Sequence, residues 1–223
     1  MKIRHLPLWL SFNGGYVDTA GFLALQGLFA AHVTGNFVTL GATLATGTAG
    51  VLPKLLALPV FCAVVLATRL ASTELGKRSF AAVRPLLAVK VVLLAVAAVY
   101  AVAHGPFSEA GSAATLGMGM TLVAAMAIQN AVHRTHLPKS PPSTLMTGTT
   151  TQIMIDLADM ILGPSGAPAV TAQRLQRMIL NVVVFALGCA AAAGAFILAG
   201  NWCFALPPVV AVIAVAARPG EDD

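Results

Sequence analysis

The chain has 223 residues, of which 58% are hydrophobic and only 9% are charged. Soluble domains carry roughly 25% charged residues, so this composition excludes a water-soluble fold and predicts an integral membrane protein. The formal net charge of +5 does not indicate nucleic-acid binding, because Lys and Arg in membrane proteins mark the cytoplasmic loops.

Eight apolar segments follow one another along the chain. Six of them approach the roughly 20 residues that a helix needs to cross the hydrocarbon core, namely 7–30, 53–71, 86–103, 112–133, 175–199 and 202–217. The other two are 35–47, which is too short to cross comfortably, and 147–162, which is rich in polar groups. Each weak segment starts at a Thr-Gly motif, Thr34-Gly35-Asn36 in the first and Thr147-Gly148-Thr149 in the second.

The placement of Lys and Arg decides whether the two weak segments cross. If all eight segments span with the N-terminus inside, six of the 13 basic residues lie inside and seven lie outside. If 35–47 and 147–162 instead dip in and return, 12 lie inside or at the inner boundary and only Lys54 lies outside. The positive-inside rule favours the second arrangement. We therefore predict an all-α fold with six transmembrane helices, two re-entrant half-helices and both termini in the cytoplasm.

This topology divides one membrane domain into two repeats, 1–104 and 105–223. Each repeat has one span, one Thr-Gly re-entrant segment and two further spans, so the repeats have opposite orientations. Asp18 lies 16 residues before Thr34, and Gln129 lies 18 residues before Thr147. Inverted repeats with broken helices are typical of secondary transporters, whose sites lie at the repeat interface near the bilayer midplane.

The Thr-Gly motifs suit a solute site. We expect extended chain to enter from opposite faces, so that two half-helices begin near the midplane with their N-termini facing each other. Thr is a good N-cap, glycine allows close backbone approach, and the positive end of a helix dipole attracts anions. The alternative is that the motifs only cap and pack two buried half-helices. The candidate binding residues are Thr34, Gly35, Asn36, Thr147, Gly148 and Thr149.

Further polar residues extend this candidate site. Asp18 lies near the middle of the first span, where an ionisable side chain costs at least about 2.5 kcal/mol and usually faces a cavity or relays protons. A structural hydrogen bond is its alternative role. Gln129 and Asn130 hold the matching position in the second repeat. Gln152 lies three residues after Thr149, on the same helix face.

Four other polar residues are expected to have simpler roles. Asp156 and Asp159 should meet cytoplasmic water, and Lys90 should snorkel to the inner interface. His32 could titrate near neutral pH, but a polar role at the interface is the simpler interpretation.

Small residues predict close helix packing at Gly14, Gly15 and Gly21 and in the run 188–196. The isolated cysteines are interpreted as small buried residues; they are Cys62, Cys189 and Cys203. The sequence has no phosphate-binding loop, no HExxH or GxSxG pattern and no ligand-spaced Cys/His set. We therefore predict no enzyme activity, no metal and no cofactor.

The segment GGYVDTAGFLALQGLFAAHVTGNFVTLGA resembles the signature of the YoaK family of uncharacterised bacterial membrane proteins, and AIQNAV followed by STLMTGTTTQ resembles its second half. The resemblance covers most of the chain. It implies a protein of the bacterial cytoplasmic membrane but no substrate. The family pattern has an acid a few residues after the second Thr-Gly-Thr, where this chain has Gln152. That departure puts a proton-carrying role for this position in doubt.

The combined features predict a secondary transporter of a small polar or anionic solute, with Asp18 as the candidate proton carrier. Two alternatives stay open. A channel would use the same half-helices without coupling, and a non-transporting scaffold or partner subunit would have a dry interior around Asp18. The expected partners are the lipid bilayer and a solute of unknown identity, without nucleic acid, and the sequence allows a homodimer.

Overall fold

The computed structural model describes residues 5–48, 50–77, 81–109, 111–163 and 168–216. Within these ranges the chain is helical throughout, without a strand. Eight α-helices occur, α1 His5–Ala24, α2 Gly35–Thr46, α3 Val51–Lys77, α4 Val83–His104, α5 Ala113–His136, α6 Met146–Leu162, α7 Pro168–Ala199 and α8 Leu206–Ala216. A 3-10 helix, Gly200–Ala205, joins α7 to α8.

The helices follow the predicted segments closely, with the main difference at the end of the first one. The apolar pattern predicts a span to residue 30, whereas α1 ends at Ala24. Gln26 and Gly27 then adopt left-handed backbone conformations, with φ of 48° and 81°. A helix cannot continue through such residues, so the chain turns back about six residues earlier than its hydrophobicity indicates.

Several helices are long and apolar enough to cross a membrane, as in a multi-pass membrane protein. By length and composition, four candidate spans occur among the described residues: Val51–Lys77, Val83–His104, Ala113–His136 and Ala172–Ala216. The last covers 45 residues and includes the 3-10 helix. At 1.5 Å per residue such a stretch is about 65 Å long, roughly twice the hydrocarbon core.

Helices α1 and α7 cross at two glycines. A Cβ atom on Gly15 would lie 2.2 Å from the carbonyl oxygen of Phe185, and one on Gly188 would lie 2.2 Å from that of Phe12. Both contacts are with backbone, which cannot move aside as a side chain can. The prediction of close packing at Gly15 and at the start of the run 188–196 is therefore confirmed.

The helix contacts define the arrangement around the candidate site. Helix α1 packs against α7, α8 and α5, while α5 packs against α3 and α4. Helix α4 also packs against α8. The two helices that begin at the Thr-Gly motifs lie on the outside, with α2 against α3 and α6 against α7. Within the described ranges, α2 and α6 do not contact each other.

The packing at the glycine crossing predicts the effect of one added methyl group. Gly188→Ala should destabilise the protein by about 2 kcal/mol or more, because overpacking against backbone forces the helices apart. Thermal unfolding of the purified protein in detergent measures this loss. Gly194→Ala is the matched control on the same helix, since a Cβ there meets no atom within 4 Å. Equal stability of the two variants would contradict the close backbone contact between α1 and α7 at Gly188.

Candidate functional site

The buried carboxylate of Asp18 holds the chain that follows α1. Its Oδ1 atom accepts hydrogen bonds from the backbone N–H groups of Ala30 at 2.8 Å, Ala31 at 2.7 Å and His32 at 3.5 Å. The side chain is 4% exposed. Non-helical backbone at membrane depth needs such partners because neither water nor helical carbonyls satisfy it. Asp18 thus supplies the acceptors that the broken chain lacks.

His32 is the second partner of Asp18 and connects the two halves of the chain. Its Nδ1 atom contacts Oδ2 of Asp18, and the imidazole also interacts with the backbone of Thr144. The ring is half-buried. Sequence interpretation did not pair His32 with Asp18, because the two residues are 14 positions apart and meet only through the turn after α1.

Asn36, and not Thr34, fixes the start of α2. The Asn36 amide accepts from the backbone N–H of Phe29 at 2.9 Å and donates to the Phe29 carbonyl at 2.8 Å. Thr34 is exposed, and its side chain makes no capping hydrogen bond. The expected Thr cap is therefore wrong for this helix, and the buried amide of Asn36 closes the loop instead.

The first N–H groups of α2 are already used. Those of Gly35, Asn36 and Phe37 donate to the carbonyls of residues 32, 33 and 34 at 2.8, 3.1 and 3.1 Å. A helix N-terminus binds an anion through unpaired N–H groups. The expectation that the start of α2 offers them to an anion is therefore wrong for this conformation.

A depression of about 470 Å³ lies beside Asp18, and we call it the first depression. Asp18, Thr19, His32 and Gly35 contribute to its lining, and the remaining walls are mostly aromatic or apolar. These walls are Phe22, Leu23, Phe29, Phe185 and Cys189. The expectation of buried cysteines holds for Cys203, whereas Cys189 reaches this depression and Cys62 is exposed.

Gln129 on α5 contacts the non-helical segment that precedes α6. The fully buried amide donates to the Leu10 carbonyl at 2.8 Å and to the Ser143 hydroxyl at 3.0 Å, and it accepts from the Lys90 ammonium at 2.5 Å. Asn130 accepts from the Thr144 hydroxyl at 2.7 Å. Both predicted amides therefore hold the segment before α6, as Asp18 holds the segment before α2.

Ser143 and Thr144, which the sequence interpretation passed over, lie between α1 and α5. A Cβ atom on Gly14 of α1 would lie 3.0 Å from the Ser143 carbonyl, so the segment touches the helix backbone. A second depression of about 250 Å³ ends at these two residues and includes Asn130 and His133. The prolines predicted to keep this stretch non-helical do so, because residues 137–145 contain no α-helix.

The second Thr-Gly motif does not join the first. Thr147 and Gly148 are exposed, and Thr147 lines an open apolar surface of α6. Thr149 is buried, with its hydroxyl donating to the Leu145 carbonyl at 3.0 Å. The first depression includes Gly35 but neither Thr147 nor Gly148. The segment before α2 instead reaches the segment before α6 through His32 and the backbone of Thr144.

Gln152 and Asp156 share a face of α6, as their spacing predicts. The Gln152 amide donates to Asp156 at 2.7 Å, and Arg174 donates to the same carboxylate at 2.5 and 2.9 Å. The Arg174 guanidinium lowers the pKa of the Asp156 carboxyl from its usual value. Asp156 is 1% exposed, so its expected solvation was wrong, whereas Asp159 is exposed.

A family model described as a protein of unknown function, DUF1275, matches residues 6–217. The chain belongs to this family. The match spans both halves, including Asp18, both Thr-Gly motifs and the amides on α5, so the family covers the whole candidate site. No curated protein and no solved structure matches the chain. Among the described residues, no group of three or more His, Cys, Asp or Glu side chains is placed to hold a metal ion.

The different roles of Asn36 and Thr34 predict different costs of removal. Asn36→Ala should lower the free energy of unfolding by about 2 kcal/mol, because it leaves the N–H and C=O groups of Phe29 buried without partners. Thr34→Ala should change it by less than about 0.5 kcal/mol, as at an ordinary exposed position. Chemical unfolding in detergent compares the two. A larger loss of unfolding free energy for Thr34→Ala than for Asn36→Ala would show that Thr34, and not Asn36, caps α2.

Proposed function

We propose that the protein is a secondary transporter of a small polar solute, with six spans, two re-entrant half-helices and an inverted repeat. The helix contacts support the repeat. If α1–α4 are exchanged with α5–α8, the α1–α7 contact becomes α5–α3, α1–α8 becomes α5–α4, and α2–α3 becomes α6–α7. The α1–α5 and α4–α8 contacts exchange with themselves, as contacts on a two-fold axis do.

The sequence positions of the loop-holding residues agree with this exchange. Gln129 follows Asp18 by 111 residues, and Ser143 follows His32 by the same 111 residues. In each half a polar side chain on the first helix holds the non-helical chain that leads into the short helix. The same construction in both halves supports re-entrant segments that enter from opposite faces.

The two depressions carry the functional proposal. The first is built from the end of α1 and the loop after it, and the second from the end of α5 and the loop after it. In the inverted arrangement they open to opposite sides of the membrane. In this proposal the contact between His32 and the Thr144 backbone separates the two depressions. Alternating access would consist of opening one depression as the other closes.

Asp18 is the coupling residue in this proposal. It is the buried acid of the first depression, and protonating it would weaken the bonds that hold residues 30–32, because a neutral carboxyl accepts hydrogen bonds less strongly than a carboxylate. Proton uptake and loop movement are thereby linked. A channel is less well supported, since it needs an open path past the contact between His32 and Thr144.

Proton-coupled flux tests the function directly. Purified protein in proteoliposomes containing a pH-sensitive dye would be exposed to a panel of amino acids, sugars, carboxylates and small amines. We expect at least one class to drive internal pH change, and Asp18→Asn to reduce that rate at least tenfold. Asp159→Asn is the control, because Asp159 is exposed on α6. An inert wild-type protein, or equal rates in Asp18→Asn, would overturn the proposal.

Site-directed cysteine labelling tests the orientation in the bacterial cytoplasmic membrane, where we place the protein with both termini inside. The expected single external lysine, Lys54, is buried and bonded to Thr43, so the exposed Thr48 is the better probe. In a cysteine-free background, an impermeant reagent added to intact cells should label Thr48→Cys and Gly111→Cys but not Lys77→Cys. Labelling of Thr48→Cys and Lys77→Cys from the same side would contradict the six-span topology.

A further inference from the structure

The interior contains a lysine that the proposed transport mechanism has not used. Lys90 on α4 is 1% exposed, and its ammonium donates to the neutral amide of Gln129 at 2.5 Å. Sequence interpretation expected this side chain to snorkel to the interface, which is wrong because it points between α4 and α5. A buried charge normally has a charged partner. Among the described residues, Lys90 has Gln129 as its only hydrogen-bond partner.

Other ionisable side chains on neighbouring elements do not replace that missing partner. Helix α8 has none in residues 206–216. The titratable and charged side chains on the other elements packed against α4, and on α4 itself, are Lys54, Cys62, Arg69, Glu74 and Lys77 on α3, His133, Arg134 and His136 on α5, Cys203 in the 3-10 helix, and Arg84, Tyr100 and His104 on α4. His136 bonds to Ser72 and Lys77 to Glu74. None of these groups is an ionic or hydrogen-bond partner of Lys90 in the described structure.

A continuous set of contacts leads from Lys90 to Asp18. Gln129 holds both the Lys90 ammonium and the Ser143 hydroxyl. The next residue, Thr144, interacts with His32, which contacts Asp18. Cys189 on α7 lines the first depression beside Asp18 and His32. The other titratable and charged side chains on α1 and on the described elements packed against it are Tyr16 on α1, Arg174 and Arg177 on α7, His133, Arg134 and His136 on α5, and Cys203 in the 3-10 helix. The amide and backbone links cannot pass a proton, but they couple the positions of the two ionisable ends.

The two ends lie at different depths and beside different depressions. Lys90 is the eighth residue of α4 and Asp18 the fourteenth of α1, which places them roughly 10 and 20 Å along helices that start on the same side in the proposed topology. The second depression ends at Ser143, one hydrogen bond from Gln129. The first depression ends at Asp18 and His32. Asp18 and His32 therefore line the first depression directly, whereas Gln129 and Ser143 separate Lys90 from the second.

We propose that Lys90 is the second protonatable group of the transport cycle and acts in alternation with the Asp18–His32 pair. This inference rests on the proposed proton-coupled function. In one half of the cycle, opening of the second depression past Ser143 brings water to Lys90, and the ammonium gives its proton to that water and becomes a neutral amine. The Asp18–His32 pair takes one proton from water in the first depression. The net charge of the buried network is then unchanged, which a low-dielectric interior favours.

Nitrogen NMR of the full-length protein in nanodiscs tests the proton exchange itself. Lysine labelled with ¹⁵N at Nζ would be titrated from about pH 5 to about pH 10, with the Lys90 signal assigned by its loss in Lys90→Met. We expect Lys90 to change between ammonium and amine within this range, and its midpoint to shift in Asp18→Asn. A Lys90 signal that stays ammonium throughout, or an unchanged midpoint in Asp18→Asn, would overturn the inference.

Two substitutions separate a protonatable lysine from a permanent cation. Lys90→Met should keep the thermal unfolding midpoint within a few degrees but abolish solute-driven proton flux. Lys90→Arg should lower both the thermal unfolding midpoint and the solute-driven proton flux, because a guanidinium cannot become neutral. Full flux in Lys90→Arg would show that a fixed charge suffices and would contradict the proposal. If the wild-type protein shows no flux but the Lys90 midpoint depends on Asp18, the proposed transport function is wrong, while the coupled protonation of Lys90 and Asp18 is confirmed.

Discussion

The hydrogen bonds from residues 30–32 to the Asp18 carboxylate are the interaction on which the rest of the site depends. A helix that stops inside a membrane leaves backbone groups that lipid cannot satisfy. One carboxylate oxygen within 3.5 Å of three consecutive N–H groups removes most of that cost. With the chain held there, His32 reaches Asp18, Asn36 can close the loop on Phe29, and α2 begins where it does. The acid is therefore structural, and losing its charge would loosen the loop it holds.

The second half solves the same problem with neutral groups. Gln129 and Asn130 hold Ser143 and Thr144, and three prolines in residues 137–145 reduce the number of backbone N–H groups that need partners. An amide cannot change its charge, so Gln129 and Asn130 do not respond to protons, although His133 lines the depression beside them. The buried ammonium of Lys90 adds an ionisable group beside Gln129. The two loop-holding sites are thus similar in construction and differ in charge.

Sequence predicted the helices and the positions of both breaks, because apolar length and Pro, Gly and Thr-Gly signals are local. It also identified Asp18, Gln129 and Asn130, since a polar side chain inside a span needs a partner wherever it is. It could not assign the partners. Thr34 holds the position where the cap is expected, yet Asn36 makes the contacts, because the choice depends on where Phe29 returns. Lys90 and Asp156 were expected near water for their charge, and only the packing of α5 and the approach of Arg174 show that both are buried.

The hydrogen bonds at the start of α2 bear on which solutes would suit the first depression in the proposed transporter. The first N–H groups of α2 are paired within the turn, and the Asp18 carboxylate already adds negative charge beside them. An anion in the first depression would therefore lie beside a carboxylate, and the first three N–H groups of α2 would not be free to bind it. A polar solute that donates hydrogen bonds, or carries positive charge, meets an acceptor and the faces of Phe22, Phe29 and Phe185, which attract cations. For the proposed transporter, the paired N–H groups of α2 favour a solute that donates hydrogen bonds over the anion expected from the helix dipole, because a helix N-terminus binds an anion through unused N–H groups.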